Sequence, residues 1–225
     1  MVPPDSYYGF YRVAPTSFKA SRLALGRLCG ARNRRLLACL GGPWRRRTPA
    51  FTSIIPPSRL REAALLAFNL CILDPGADVD LRVGHENGNR CLAYLSTVEA
   101  AKGSALARLV EERQIPILGK NENWGSTLLD IRAPGWQEAM VDALTPEALR
   151  LGYDGLFLDT VDSLSMLEKA VPKDAAAFRG AMVGMIRQLH ERYPDKSIVI
   201  NRGFDLLPDL RLGVGGVGRK CVSNF

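Results

Sequence analysis

Several signatures are missing from this chain, and each absence removes a class of function. No apolar run approaches the ~18–20 residues a membrane-spanning helix needs. The phosphate loop GxxxxGK[ST], the nucleophile elbow GxSxG and the zinc-protease pattern HExxH do not occur. Histidine is scarce: only His85 and His190 are present, and neither has a metal partner at ligand spacing. The acids Asp74, Asp78 and Asp80 lack the rest of a calcium loop. The five cysteines (29, 39, 71, 91 and 221) form no CxxC pair, and their odd number gives no disulfide framework. Cys71 and Cys91 fall in apolar runs and read as small core residues.

Acids are nearly absent from the first fifty residues. Ten Lys/Arg stand there against Asp5 alone, while the rest carries 20 Lys/Arg against 22 Asp/Glu, from totals of 30 and 23. The net charge of +7 thus belongs to a basic leader, residues 1–55, ahead of a near-neutral domain. That asymmetry argues against a nucleic-acid-binding protein as a whole. The leader is rich in Arg, Pro, Gly and Ser and has no sustained periodicity, which fits a disordered extension. Two other readings stand beside it. One is a targeting segment, organellar or secreted, although the apolar stretch after Arg34-Arg35 is shorter than a secretory core. The other is a patch for an anionic surface, which lacks interleaved aromatics.

From Pro56-Pro57 onward, short apolar runs alternate with helical patterns. Strands are expected over Ala67–Leu73, Cys91–Leu95, Ile115–Leu118, Leu156–Leu158 and Ser197–Ile200. Helices are expected over Arg59–Leu66, Lys102–Arg113, Pro134–Ala143 and Asp174–Tyr193, with a short one over Ser163–Lys169 capped by Asp162. Gly76–Arg90 reads as a long polar segment. This alternation predicts parallel βαβ units, an α/β fold of (β/α)₈ TIM-barrel type with about five strands present.

In a parallel sheet every strand ends on one face, where ligands bind. Polar residues terminate the strands here: Asp74, Ser96 with Glu99, Asp159 and Asn201. Asp159 directly ends the apolar run Leu156-Phe157-Leu158, where an unpaired buried carboxylate is costly, so it is placed at a solvated rim. A cap or turn role is the plainer alternative. Trp124, in a Gly/Asn-rich loop, suits stacking on a sugar ring or filling the core beneath a loop. Asn201-Arg202-Gly203 suits either a hydroxyl-rich ligand or a helix start. Carboxylates, amides and an aromatic together suit glycoside hydrolysis, which commonly uses two carboxyl groups flanking the bond.

The segment Phe68–Leu210 resembles the TIM-barrel domain of glycoside hydrolase family 114, the endo-α-1,4-polygalactosaminidases. The resemblance rests on five motifs in order: FNLCILDP (68–75), CLAYLSTVEA (91–100), GKNENWGSTLLDIRAPGW (119–136), GYDGLFLDTVDS (152–163) and IVINRGFDLL (198–207). It implies cleavage of α-linked galactosamine, N-acetylgalactosamine or α-galactoside glycans with no metal or organic cofactor. It matches Asp159 to a catalytic aspartate. Asp74, Tyr94, Glu99, Trp124, Asp130 and Asn201 match positions that line or support the sugar cleft.

Two departures accompany the resemblance. Thr97-Val98 replaces the family's usual Val-Gly, which is expected to displace Glu99 slightly. The family's second catalytic carboxylate is a glutamate on the strand after IVINRGFDLL, and no glutamate follows Glu191 here. The sequence is therefore expected to be a truncated or frame-disrupted form of the hydrolase, with domain 56–210 followed by an aberrant tail, 211–225. The alternative is a catalytically inactive carbohydrate-binding protein. The expected partner is a polysaccharide or oligosaccharide, with no nucleic acid.

Overall fold

A computed structural model describes residues 54–55, 68–210 and 220–223. Its strands, in chain order, are β1 (Ile54–Ile55), β2 (Leu70–Leu73), β3 (Arg90–Ser96), β4 (Glu99–Ala100), β5 (Ile117–Asn121), β6 (Ser126–Leu129), β7 (Gly155–Asp159), β8 (Ser197–Asn201) and β9 (Lys220–Ser223). Six of them form one sheet in the order β1-β2-β3-β7-β8-β9, and every pairing in it is parallel. This is the α/β, TIM-barrel-type arrangement expected from the alternating pattern. The sheet extends beyond the span 56–210 on both sides, through β1 and β9. The helix expected over Arg59–Leu66 lies outside the described residues.

One strand assignment is corrected. Ile115–Leu118 is not a strand of the parallel sheet, since β3 pairs directly with β7. The segment instead enters β5, which joins β4 and β6 in a separate antiparallel sheet of order β4-β6-β5. Pro116 removes a ladder donor at its start, a register shift falls between Ile117 and Gly119, and Ile117 is 54% exposed. Such a segment cannot serve as a central strand buried on both faces. Asp159 still ends the fourth strand of the parallel sheet, because β1 supplies the strand that this segment does not.

The parallel strands bury two different faces. Cys91, Ala93 and Leu95 of β3 and Leu156 and Leu158 of β7 share a core with the helical side chains Trp136, Met140, Leu167, Phe178, Met182 and Ile186. Leu70, Ile72, Leu92, Phe157 and Val199, with Tyr94 against them, form a smaller cluster containing no helix residue. Successive side chains on a strand point to opposite faces, so Tyr94, Asp159 and Asn201 all extend this helix-free face. Gly155 allows a close approach of β7 to β8, since a Cβ there would lie 2.0 Å from the Ser197 carbonyl oxygen.

The helices are α1 (Leu81–Glu86), α2 (Ala105–Glu112), α3 (Pro134–Glu138), α4 (Thr145–Arg150), α5 (Leu164–Ala170) and α6 (Ala175–Arg192). Pro134 sits at the first position of α3, where its missing N–H costs nothing. A π-helical stretch, Ala139–Leu144, joins α3 to α4 just before Pro146, which cannot donate to the regular ladder; Thr145 donates to the carbonyl five residues back, on Met140. In α6 one apolar face, including Phe178, Met182, Met185, Ile186 and Leu189, is buried. Inside the polar segment 76–90, α1 forms on the Asp80 cap, whose carboxylate accepts from the Arg82 amide at 3.0 Å. Asp162 does not cap α5; its carboxylate accepts from Arg202 Nη1 at 2.8 Å.

Candidate active site

The carboxyl ends of β3, β7 and β8 bring three of the expected residues together. Tyr94 donates its phenol to Asp159 Oδ2 at 2.7 Å, and Asn201 Nδ2 donates to Asp159 Oδ1 at 2.7 Å. All three are partly exposed. Tyr94 is set by packing against Phe157, with ring centroids 6.4 Å apart and planes 22° from parallel. Asn201 Oδ1 is buried with no hydrogen-bond partner. The Asp159 carboxylate is thus oriented by one neutral donor on each oxygen.

The loops behind these strand ends interlock. Thr160, directly after Asp159, and Arg202 and Gly203, directly after Asn201, have left-handed backbones with φ of 59°, 61° and 65°. Arg202 pairs with Asp162 at 2.8 Å. A Cβ on Gly203 would lie 2.6 Å from Val161 Cγ1, so only glycine fits there. These contacts fix β7 and β8 as a unit around the Asn201–Asp159 bond.

The other expected residues take different positions. Asp74 follows β2; its carboxylate turns back to accept from the Gly76 amide at 2.7 Å, and its carbonyl accepts from the Tyr153 phenol at 3.0 Å. Glu99 is 5% exposed. Its carboxylate accepts from Asn121 Nδ2 at 3.0 Å and from the hydroxyls of Ser126 and Ser163. Glu99 therefore ties the antiparallel sheet to the segment after β7 from within the core. Asp130 accepts from the Arg132 side chain and amide, and Arg132 also pairs with Asp174 and lies 4.3 Å from the Phe178 ring centre. The Arg132 guanidinium holds the Asp130 carboxyl below the usual carboxylate range. This cluster fastens the end of the antiparallel sheet to α6. Trp124 stands at the β5–β6 turn, 39% exposed, and is not a core aromatic. Trp136 takes that role, fully buried, with Nε1 donating to the Thr97 carbonyl at 2.8 Å.

Sequence reasoning did not pick out Thr97 and Thr160 as site supports. Thr160 Oγ1 lies 3.0 Å from the amides of Thr97 and Val98, and Thr97 Oγ1 donates to the Asp159 carbonyl at 2.7 Å. The Thr97 side chain thus adds a bond at the Asp159 main chain. Among the described residues, no cluster of three or more His, Cys, Asp or Glu side chains could hold a metal ion. His85 pairs with Asp154 at 3.1 Å. No described helix is long and apolar enough to cross a membrane. Residues 213–218 spell GxGxxG but lie outside the described residues; β9 follows them, where a dinucleotide site requires a helix.

A carboxylate, a phenol and an amide thus converge at the carboxyl edge of a parallel α/β sheet, the edge where such folds bind ligands. The glycoside-hydrolase family GH114 model matches residues 57–217, and the chain belongs to that family. Among solved structures, it is similar to a variant of the glycoside hydrolase domain of PelA from Pseudomonas aeruginosa, with 27% identity over 78% of this chain and 67% of that one, at a TM-score of 0.63. The unsubstituted PelA domain matches with 28% identity over 76% of this chain and 64% of its own length, at a TM-score of 0.59. The chain therefore spans about two thirds of these domains. No curated protein matches it by sequence.

Proposed function

We propose that this chain carries a glycoside hydrolase site for α-1,4-linked galactosamine or N-acetylgalactosamine glycans, with Asp159 as a catalytic carboxylate. The observation that carries the reading is the Tyr94–Asp159–Asn201 arrangement, at the ends of three adjacent parallel strands in a member of family GH114. Tyr94 and Asn201 orient the carboxylate, whose remaining lone pairs face a ligand. Trp124 supplies an exposed indole for stacking on a sugar ring. Asp74, Glu99 and Asp130 support the cleft through the loops they brace. Incubation with α-1,4-galactosamine oligomers, followed by mass spectrometry, tests the reading. Shortened products with the wild type and none with Asp159→Asn support it.

A second reading, binding without cleavage, rests on the placement of the other strand-end acids. Hydrolysis commonly uses two carboxyl groups flanking the bond. Asp74 is turned onto its own loop, Glu99 is buried, and Asp130 is held by Arg132. None of these three is hydrogen-bonded to the Asp159 group. Saturable oligomer binding with no product from the wild type selects this second reading.

A further inference from the structure

We propose that Thr97 and Thr160 are positioning residues for Asp159, forming a reciprocal clamp on the peptide unit that carries the carboxylate. The inference rests on the reading of Asp159 as the sugar-facing carboxylate, and it concerns what holds that group in place. Tyr94 and Asn201 reach only its side-chain oxygens. The β3–β7 ladder ends at the Ser96–Asp159 pair, so pairing along the ladder does not fix the chain beyond it.

Thr160 lies in that next position, with φ of 59°. A β-branched residue is an outlier there, and glycine or asparagine would adopt the conformation at less cost. What threonine supplies is a hydroxyl in a site where the hydrogen bonds close completely. Ser96 Oγ donates to the Glu99 carbonyl at 2.5 Å and so is free to accept from the Thr160 hydroxyl at 3.0 Å. Thr160 Oγ1 in turn accepts from the Thr97 and Val98 amides, each at 3.0 Å. Thr97 returns the contact, its hydroxyl donating to the Asp159 carbonyl at 2.7 Å, while its amide also approaches that oxygen at 3.0 Å. Thr97 and Val98 are fully buried, so no water replaces Thr160 as acceptor without rearrangement. The Thr97 carbonyl is held from the other side by the buried Trp136 indole at 2.8 Å. The strained residue is over-determined by its surroundings, a pattern found where a side chain must be set accurately.

The test uses the full 225-residue chain with Thr160→Ser, Thr160→Gly, Thr160→Val and Thr97→Val. Ser keeps the hydroxyl, Gly relaxes the backbone without it, and the two Val variants remove a hydroxyl at nearly constant volume. Amide hydrogen exchange at Val98, which donates to Thr160 Oγ1, reads the clamp, since the Thr97 amide keeps the Asp159 carbonyl as a second acceptor; titration with an α-1,4-galactosamine oligomer reads its consequence. Thr160→Ser should retain protection and affinity. Thr160→Gly should lose protection at Val98 and bind about tenfold more weakly or worse, while relief of the left-handed strain offsets the lost hydrogen bonds and leaves Tm little changed. Thr97→Val should weaken binding while the Thr97 and Val98 amides stay protected. The proposal is overturned if Thr160→Gly binds like the wild type, or if affinity simply follows Tm across the series. A wild type that binds no oligomer removes the galactosamine reading instead; exchange then decides, and unchanged protection in Thr160→Gly and Thr160→Val overturns the clamp.

Discussion

Asn201 Nδ2 donates to Asp159 Oδ1 at 2.7 Å across the ends of β8 and β7, and this bond joins residues 42 positions apart in the chain. Tyr94 completes the pair of donors from β3. Asn201→Ala and Tyr94→Phe are each expected to weaken oligomer binding or turnover by about ten- to a hundredfold while leaving the fold intact. Circular dichroism and titration of the same samples check both halves of this expectation.

Gly203 is a steric keystone between the loops after β7 and β8. Gly203→Ala places a Cβ 2.6 Å from Val161 Cγ1 at a left-handed backbone position, which should cost about 1–3 kcal/mol. Val161→Ala opens a cavity when made alone. Combined with Gly203→Ala, it should cost less than the sum of the single changes, because the added methyl occupies the space of the one removed. Additive losses in a denaturation double-mutant cycle would show that the two loops do not press on each other.

Trp124 and Trp136 should part in their behaviour. Trp136 is fully buried, and Trp136→Ala should cost about 3–5 kcal/mol. Trp124 is partly exposed at the β5–β6 turn, so Trp124→Ala should change stability by no more than about 0.5 kcal/mol while weakening sugar binding. Thermal denaturation and ligand titration of both variants separate the roles.

The Asp130–Arg132–Asp174 cluster predicts an acid-sensitive contribution. The Asp130 carboxyl is held below its ordinary value by Arg132, so more protons bind in the unfolded state as pH falls. Its contribution is therefore fully present above the unfolded value of about 4 and is lost as pH drops through the folded value. Asp130→Asn should flatten the acid limb of a stability-versus-pH curve relative to the wild type, with its full loss of stability at neutral and alkaline pH and a difference that shrinks to nothing in acid.

Much of this was legible in the sequence because the parallel strands are short apolar runs that end on polar residues. Leu156–Leu158 and Ser197–Ile200 thereby located Asp159 and Asn201 on one edge. The antiparallel sheet was not legible by the same rule. Ile115–Leu118 has the composition of a strand, and only Pro116 and the turn around Gly125, with φ of 64°, point to a hairpin. The enclosure of Glu99 was not legible for a related reason. A glutamate close to a strand end looks like a ligand-facing group until its three donors, distant in sequence, are seen to enclose it. The roles of Thr97 and Thr160 depend on a left-handed backbone at a β-branched residue, which local propensity disfavours. Tertiary hydrogen bonding overrides that preference, and no pattern in one sequence records it.

The central claim is that the Tyr94–Asp159–Asn201 edge is a galactosamine-glycan site. Isothermal titration of the full chain with an α-1,4-galactosamine oligomer, beside a β-1,4-glucose oligomer of the same length, tests it most directly. The account predicts saturable binding of the galactosamine oligomer alone, weakened about tenfold or more by Asn201→Ala. Absent or equal binding of the two sugars, or binding unaffected by Asn201→Ala, would contradict it.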